Sequence, residues 1–139
     1  MNFEKLTFSD IKSNELVITL EQYLEENHQQ GWVPVYRFKI MDIAKNVVGG
    51  IEFRAGLTEL LKDRDGHIGY HINEPYRGNK YSLKALKMIL PFIWKHPIKE
   101  LVLTTDIENN ASEKILKLLG ATFLRINNGK KIYVYQRNI

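Results

Sequence analysis

Residues 67–119 read as strand, helix, strand, helix, and that order constrains the fold more than any other feature of the chain. "HIGYHI" and "KELVLTT" are short apolar runs of the length of buried strands. From Ser82 to Trp94 the apolar positions Leu83, Leu86, Leu90 and Ile93 recur at helical spacing, with Lys84 and Lys87 off that stripe. Two strands joined through a helix have room for a crossover, so they are expected to lie parallel with a right-handed connection. Pro91 removes a hydrogen bond inside the helix and is expected to bend it, and His96-Pro97 ends it. The second helix, "ENNASEKILKLLG", carries its own punctuation: an Asn cap, Glu113 three residues after Asn110, and Gly120 at the C-terminal end.

The flanks supply the rest of a sheet. "VPVYRFKIMD" alternates apolar and polar positions as a half-buried strand does. "NVVGGIEFRA" predicts its neighbour, with Gly49-Gly50 marking a bulge or bend and a hairpin turn between Asp42 and Asn46. "GLTELLKDRDG" reads as a polar connector with one helical turn, and "NGK" between "ATFLRIN" and "KKIYVYQRN" is a strong hairpin signal. "FEKLTF" predicts a short first strand. Residues 10–28, with Ile11, Leu16, Ile18, Leu20 and Leu24 among acids, predict one helix or two short ones. A chain of 139 residues without repeats or linkers is expected to form one domain, 1–139, of α/β or α+β class.

Composition bounds the function. There is no cysteine, which excludes disulfides, thiolate metal sites and a cysteine nucleophile. The N-terminus lacks the apolar core of a signal peptide, and no apolar stretch approaches the roughly 20 residues that cross a bilayer. A cytoplasmic setting with no membrane partner is therefore expected. Residues 1–65 hold 11 acids and 8 bases, whereas residues 66–139 hold 5 acids and 12 bases, with no acid after Glu113. Such asymmetry points to an anionic partner of the C-terminal half, phosphate foremost, or to a solvated lysine surface. A basic nucleic-acid-binding domain using Tyr133 and Tyr135 is the weaker alternative, because the cations gather in one turn and no nucleic-acid motif accompanies them.

That turn is "NEPYRGNKYS", residues 73–82, which connects the first strand of the parallel pair to its helix. A glycine-containing strand-to-helix turn presents unpaired N–H groups and a positive dipole end to an anion, and Arg77 and Lys80 add cations. A second loop, "TDIENNAS", leaves the neighbouring parallel strand for the next helix. Two adjacent parallel strands feeding helices in this way bound a ligand crevice.

Together, "IGYHINEPYRGNKYSLKALK" and "ENNASEKILKLLGA" resemble the GCN5-related N-acetyltransferase (GNAT) superfamily, in particular the branch that holds the ribosomal-protein N-terminal acetyltransferases. The resemblance is close over residues 67–121. It implies a mixed, mostly antiparallel sheet of six to seven strands with a central, splayed parallel pair and flanking helices. It implies acetyl-coenzyme A as co-substrate, no metal, and direct transfer to a primary amine of a small molecule or peptide. A catalytically impaired coenzyme A-binding regulatory module is the alternative, and a homodimer is compatible with either.

Carried over residue by residue, the resemblance gives the pyrophosphate to Arg77, Gly78, Asn79, Lys80, Tyr81 and Ser82. Tyr70, His71 and Ile72 are expected to offer main-chain groups to the pantetheine arm. Asn109 and Ser112 are expected to face the cofactor as well as cap their helix. Lys80 stands where glycine is usual, so its ammonium is expected to compensate for its bulk. The family's acid, a tyrosine seven residues after the motif Asn, is missing here, where Leu116 stands. His67, near the family's strand carboxylate, is a candidate base, with Glu52 and His71 as further candidates and sheet-surface positions as the alternative. His67 and His71 are too far apart along a strand, by roughly 13 Å, to share a metal. Acidic residues of the N-terminal half, Glu21, Glu25 and Glu59 among them, could attract a cationic acceptor.

Overall fold

The computed structural model describes residues 3–137. Its strands are β1 (Ile11–Lys12), β2 (Leu16–Leu24), β3 (Val35–Asp42), β4 (Val47–Arg54), β5 (Ile68–Ile72), β6 (Glu100–Asp106), β7 (Thr122–Asn127) and β8 (Lys130–Gln136). Its helices are α1 (Glu59–Lys62), α2 (Tyr81–Ile93) and α3 (Asn110–Leu119), and a single 3-10 turn covers Glu74–Tyr76. All eight strands join one sheet in the order β1-β2-β3-β4-β5-β6-β8-β7, antiparallel except between β5 and β6.

Two N-terminal expectations are corrected. Residues 10–28 form the hairpin β1–β2 and a loop rather than a helix. Leu16 and Ile18, both fully buried, alternate with Val17 and Thr19, and this β-branched, period-two run fits a pleated surface better than a helix. Ser13 supports the turn before it, its Oγ accepting from the N–H groups of Glu15 and Leu16. Residues 3–8 form no strand. Phe3, Leu6 and Phe8 pack against the core, and the Leu6 N–H is taken by the Tyr36 hydroxyl at 2.9 Å instead of by a strand. The added hairpin raises the strand number to eight, above the six to seven expected.

The remaining elements lie where the sequence placed them. Asn128 (φ 47) and Gly129 (φ 79) both adopt left-handed backbone, the pair of values that a two-residue hairpin turn requires. Asp42 closes the β3–β4 turn by accepting from Ala44 and Asn46. The expected irregularity at Gly49-Gly50 is a register shift that leaves Val48, beside Gly49, without a partner on β3.

One sheet face packs against α2 and α3, where Tyr36, Phe53, Leu86, Ile89 and Leu103 belong to one core. His96 is buried among Tyr36, Phe53 and Phe92, and its Nδ1–H donates to the Phe92 carbonyl at 3.1 Å. On the opposite face, Leu57 covers a smaller cluster of Val102, Ile132 and Val134. Arg54 ties this connecting segment to β4, reaching the Asp65 and Gly66 carbonyls, while Arg125 pairs with Asp63. Beside that segment, among the described residues, the outer face of β3, β4 and β5 carries no helix.

Candidate active site

β5 and β6 share a single register pair, Ile68 with Leu103, and then diverge. At the neck of this V the His67 N–H donates to the Val102 carbonyl at 2.8 Å, and the Val102 N–H donates to His67 Nδ1 at 2.9 Å. Beyond the neck, β5 over Tyr70–Ile72 has no ladder partner on the β6 side, so a notch runs between the strands. Tyr70 crosses it: its hydroxyl lies 2.7 Å from Ser112 Oγ at the start of α3. Burial raises the Tyr70 phenol above its ordinary range, with Ser112 opposing weakly, so the hydroxyl keeps its proton.

The notch ends at the N-terminus of α2, which is bare. Lys80 is its cap residue and supplies no side-chain acceptor, and the first turn holds no acid. The N–H groups there are left to a ligand or solvent, with the positive end of the helix dipole behind them. Gly78 (φ 90) and Lys80 (φ 59) both adopt left-handed backbone, and open space surrounds the Cβ direction of Gly78. Arg77 Nε donates to the Ile72 carbonyl at 2.9 Å, which anchors the guanidinium at the end of β5. Asn79 holds the turn by donating to the Tyr76 carbonyl. Lys84, one turn on, is paired with Glu15 at 2.8 Å. By contrast, α3 closes its own N-terminus. Asn109 Oδ1 accepts from the Ser112 N–H at 3.0 Å, and Glu113 lies in the first turn.

On the outer face a groove of about 430 Å³ reaches β5 from the other side. Its side chains stand in two rows across β3, β4 and β5. One row is Lys39, Gly50, His71 and the next is Arg37, Glu52, Gly69. Glu52 is held on both sides, by Arg37 Nε at 2.9 Å and Arg54 Nη2 at 3.3 Å. The His71 ring lies over Gly50, where an added Cβ would come 2.9 Å from its Cε1. Tyr70 also borders the groove, so this one strand is shared by groove and notch.

The other sequence candidates lie elsewhere. His67 is only 5% exposed, and its Nδ1 is engaged by Val102. Burial, with the Arg54 charge adding to it, lowers its pKa to about 4, so the ring is neutral at pH 7. Tyr133 donates its hydroxyl to Glu113, which also pairs with Lys131 at 3.0 Å, and burial and that carboxylate push the phenol up to about 12. Tyr135 stacks on Trp94. Among the described residues no group of His, Asp and Glu is arranged to hold a metal, and no helix is long and apolar enough to cross a membrane.

A splayed parallel pair leading to a bare helix N-terminus frames the comparison with known proteins. The family model described as "Acetyltransferase (GNAT) domain" matches residues 6–122. The chain belongs to the GNAT acetyltransferase family. No curated protein matches it in sequence. The GNAT fold is shared with a ribosomal-protein-S5-alanine acetyltransferase from Vibrio fischeri, at TM-score 0.67 and 12% identity over 93% of this chain and 97% of that one. A ribosomal L7/L12 alpha-N-protein acetyltransferase, solved in complex with coenzyme A, aligns at TM-score 0.67 and 14% identity over 92% and 98%. Mutant forms of the spermidine/spermine N-acetyltransferase of Vibrio cholerae align at TM-score 0.57 and 16% identity over 73% and 66%.

Within this GNAT chain the structure brings Tyr70, His71 and Ile72 to the notch edge, Arg77–Ser82 to its end, and Ser112 to the facing wall, with Asn109 capping the same helix. Glu52 and His71 meet in the groove, whereas His67 stays at the neck. Leu116 is fully buried in the core, and Ser112, one turn before it, holds the Tyr70 hydroxyl. Sequence reasoning missed the side chain of Tyr70 and the groove residues Arg37, Lys39 and Gly69. The polar positions alternating with Tyr36, Phe38 and Ile40 were the available signal, because they must share the face opposite the core.

Proposed function

We propose that this GNAT enzyme transfers acetyl from acetyl-coenzyme A directly to the nitrogen of a primary amine. The observation that carries the reading is the notch itself, open beyond Ile68 and Leu103 and ending at a helix N-terminus with no acid in its first turn. Acetyl-coenzyme A supplies an activated acetyl thioester together with an anionic pyrophosphate. Arg77, Gly78, Asn79, Lys80, Tyr81 and Ser82 hold the pyrophosphate through N–H groups, the helix dipole and two cations. The fit rests on backbone shape as well as charge: Lys80 adopts the left-handed conformation that glycine would supply, and adds an ammonium. The edge of β5 over Tyr70, His71 and Ile72, which has no ladder partner on the β6 side, holds the pantetheine arm as a strand would, through main-chain groups other than the Ile72 carbonyl that Arg77 occupies, and Asn109 and Ser112 flank it.

The amine enters by the groove and meets the thioester across β5. His71 takes a proton from the incoming ammonium, and Glu52, fixed by its two arginines, orients the nitrogen. The Tyr70 hydroxyl gives a proton to the departing sulfur and recovers one through Ser112. One N–C bond forms as one C–S bond breaks; two protons leave the ammonium nitrogen, one balanced by the proton that Tyr70 gives to sulfur and the other passed from His71 to solvent, with no acyl-enzyme. His67 takes no part in this sequence. The setting proposed is cytoplasmic, and no metal is needed.

The test is amine-dependent release of coenzyme A thiol by the purified chain, beside calorimetric binding of coenzyme A. Turnover on a primary amine is expected. Arg77→Glu is expected to weaken coenzyme A binding by tenfold or more, since it removes a charge-assisted hydrogen bond and sets a carboxylate against the pyrophosphate. Absence of coenzyme A binding overturns the assignment. Binding without turnover on any amine leaves a coenzyme A-binding module instead of an enzyme.

A further inference from the structure

The outer groove carries information about the acceptor that the family does not. Lys39 and His71 stand on either side of Gly50, whose missing side chain leaves the place that the His71 ring leans into, and the register fixes all three side by side. In the next row Gly69 stands beside Glu52, and the Arg54 guanidinium lies 3.5 Å from where its Cβ would be. The strands that bear Lys39 and His71 lie two strand spacings apart, about 10 Å, across the groove of about 430 Å³. A bulge in β2 falls between Leu20 and Gln22, and Glu21 is the extra residue, at the outer rim of the groove.

The charges are unevenly committed. Arg37 is bound to Glu52 and to Gln22, and Arg54 to Glu52 and the connecting segment. Lys39 has no hydrogen-bond or ion-pair partner among the described residues, although it is half-buried in the groove wall. Glu52 uses one bond per oxygen toward its arginines and keeps lone pairs for another donor. A free cation on β3 therefore lies across the groove from an acceptor pair, Glu52 and His71. Arg37 and Lys39 balance Glu21 and Glu52 in the lining, so the groove gives a polycation no net attraction. It matches a ligand that presents an ammonium at one end and a carboxylate at the other.

We propose that the groove selects a primary amine bearing a carboxylate a few bonds from its nitrogen, with Lys39 binding the carboxylate while the nitrogen lies beside Glu52 and His71. The inference rests on the acetyl-transfer reading for the identity of the reacting nitrogen. The same chemistry is found in a free acidic amino acid and in a peptide whose first residue is acidic.

The experiment compares kcat/KM for C-terminally amidated peptides beginning with Glu, Gln or Lys, alongside free glutamate and spermidine. The Glu peptide is expected to exceed its Gln isostere by roughly tenfold or more, carried in KM, with the Lys peptide and spermidine below both. Lys39→Gln, which keeps length and fold, is expected to bring the Glu-to-Gln ratio close to one, and Lys39→Glu to put the Lys peptide first. Relative rates on free glutamate and the Glu peptide then distinguish a small acceptor from a peptide terminus. Equal rates on the Glu and Gln peptides, a preference for spermidine, or a ratio that survives Lys39→Gln overturns the proposal. Should no amine be turned over, calorimetry with the Glu peptide keeps the two readings apart. Binding that Lys39→Gln abolishes upholds the groove without the chemistry, and no binding to the parent chain rejects it.

Discussion

Lys80 occupies left-handed backbone (φ 59), which is costly for any residue with a Cβ, on the order of 1–2 kcal/mol. Its replacement by glycine is expected to raise stability by about 1 kcal/mol in urea unfolding while weakening coenzyme A binding severalfold, because the strain goes and the ammonium with it. Stability and affinity moving in the same direction would contradict that assignment. At Tyr70 the relevant group is the hydroxyl. Tyr70→Phe is expected to lower kcat by about a hundredfold, the usual scale of one acid, with coenzyme A affinity and melting temperature little changed. A loss confined to affinity would instead make the Ser112 contact a wall of the notch. Legibility differed between these residues for a physical reason. Arg77, Lys80, Asn109 and Ser112 lie in local turn and cap patterns, whereas the Tyr70–Ser112 contact joins positions 42 apart. Only the tertiary fold brings those two together.

Among the elements, helices with their own punctuation were readable. α3 has an Asn cap, a first-turn Glu113 and a closing Gly120 (φ 101), although the cap is Asn109 and not the Asn110 to which the Glu113 spacing pointed, and Glu113 turns to Tyr133 and Lys131. β2 was not readable in the same way. Its leucines at 16, 20 and 24 also satisfy a helical stripe, and its pairing partner β3 is what decides the period. Where the sequence marked a bulge, the reason is close approach. A Cβ on Gly49 would lie 2.2 Å from the His71 carbonyl oxygen, a backbone atom of β5 that cannot swing aside. Gly49→Ala is therefore expected to cost more than about 3 kcal/mol or to prevent folding, on the scale of severe overpacking. Gly78→Ala meets no atom but keeps a left-handed φ of 90, so it should cost less, on the order of 1–2 kcal/mol. Equal melting temperatures for the two variants would refute this account of the β4–β5 register.

For the molecule as a whole, acid is the informative perturbation. His67 is harder to protonate folded, near pH 4, than unfolded, near 6.5, so the unfolded chain binds more protons between those values. Its contribution is fully present above about pH 6.5 and is lost as pH falls toward 4, by up to about 3 kcal/mol. Burial lowers His96 too, and hydrogen bonds lower Asp42 and Glu113, all with the same sign. His67→Asn, which keeps an acceptor for the Val102 N–H, is expected to flatten the pH dependence measured by urea unfolding between pH 7 and 4.5. An unchanged slope would assign the acid sensitivity to the carboxylates.

The same histidine sits at the narrowest place in the sheet. β6 is registered with β8 through seven residue pairs and β4 with β5 through five, but β5 meets β6 through one. Mechanically the sheet is two stiff plates joined by a short weld, with the α2–α3 contact as a brace behind it. Bending concentrates at such a joint, so slow fluctuations of the free chain should open and close the plates about His67 and Val102. A ligand lying along the gap would act as a splint, and each conversion to product would remove it.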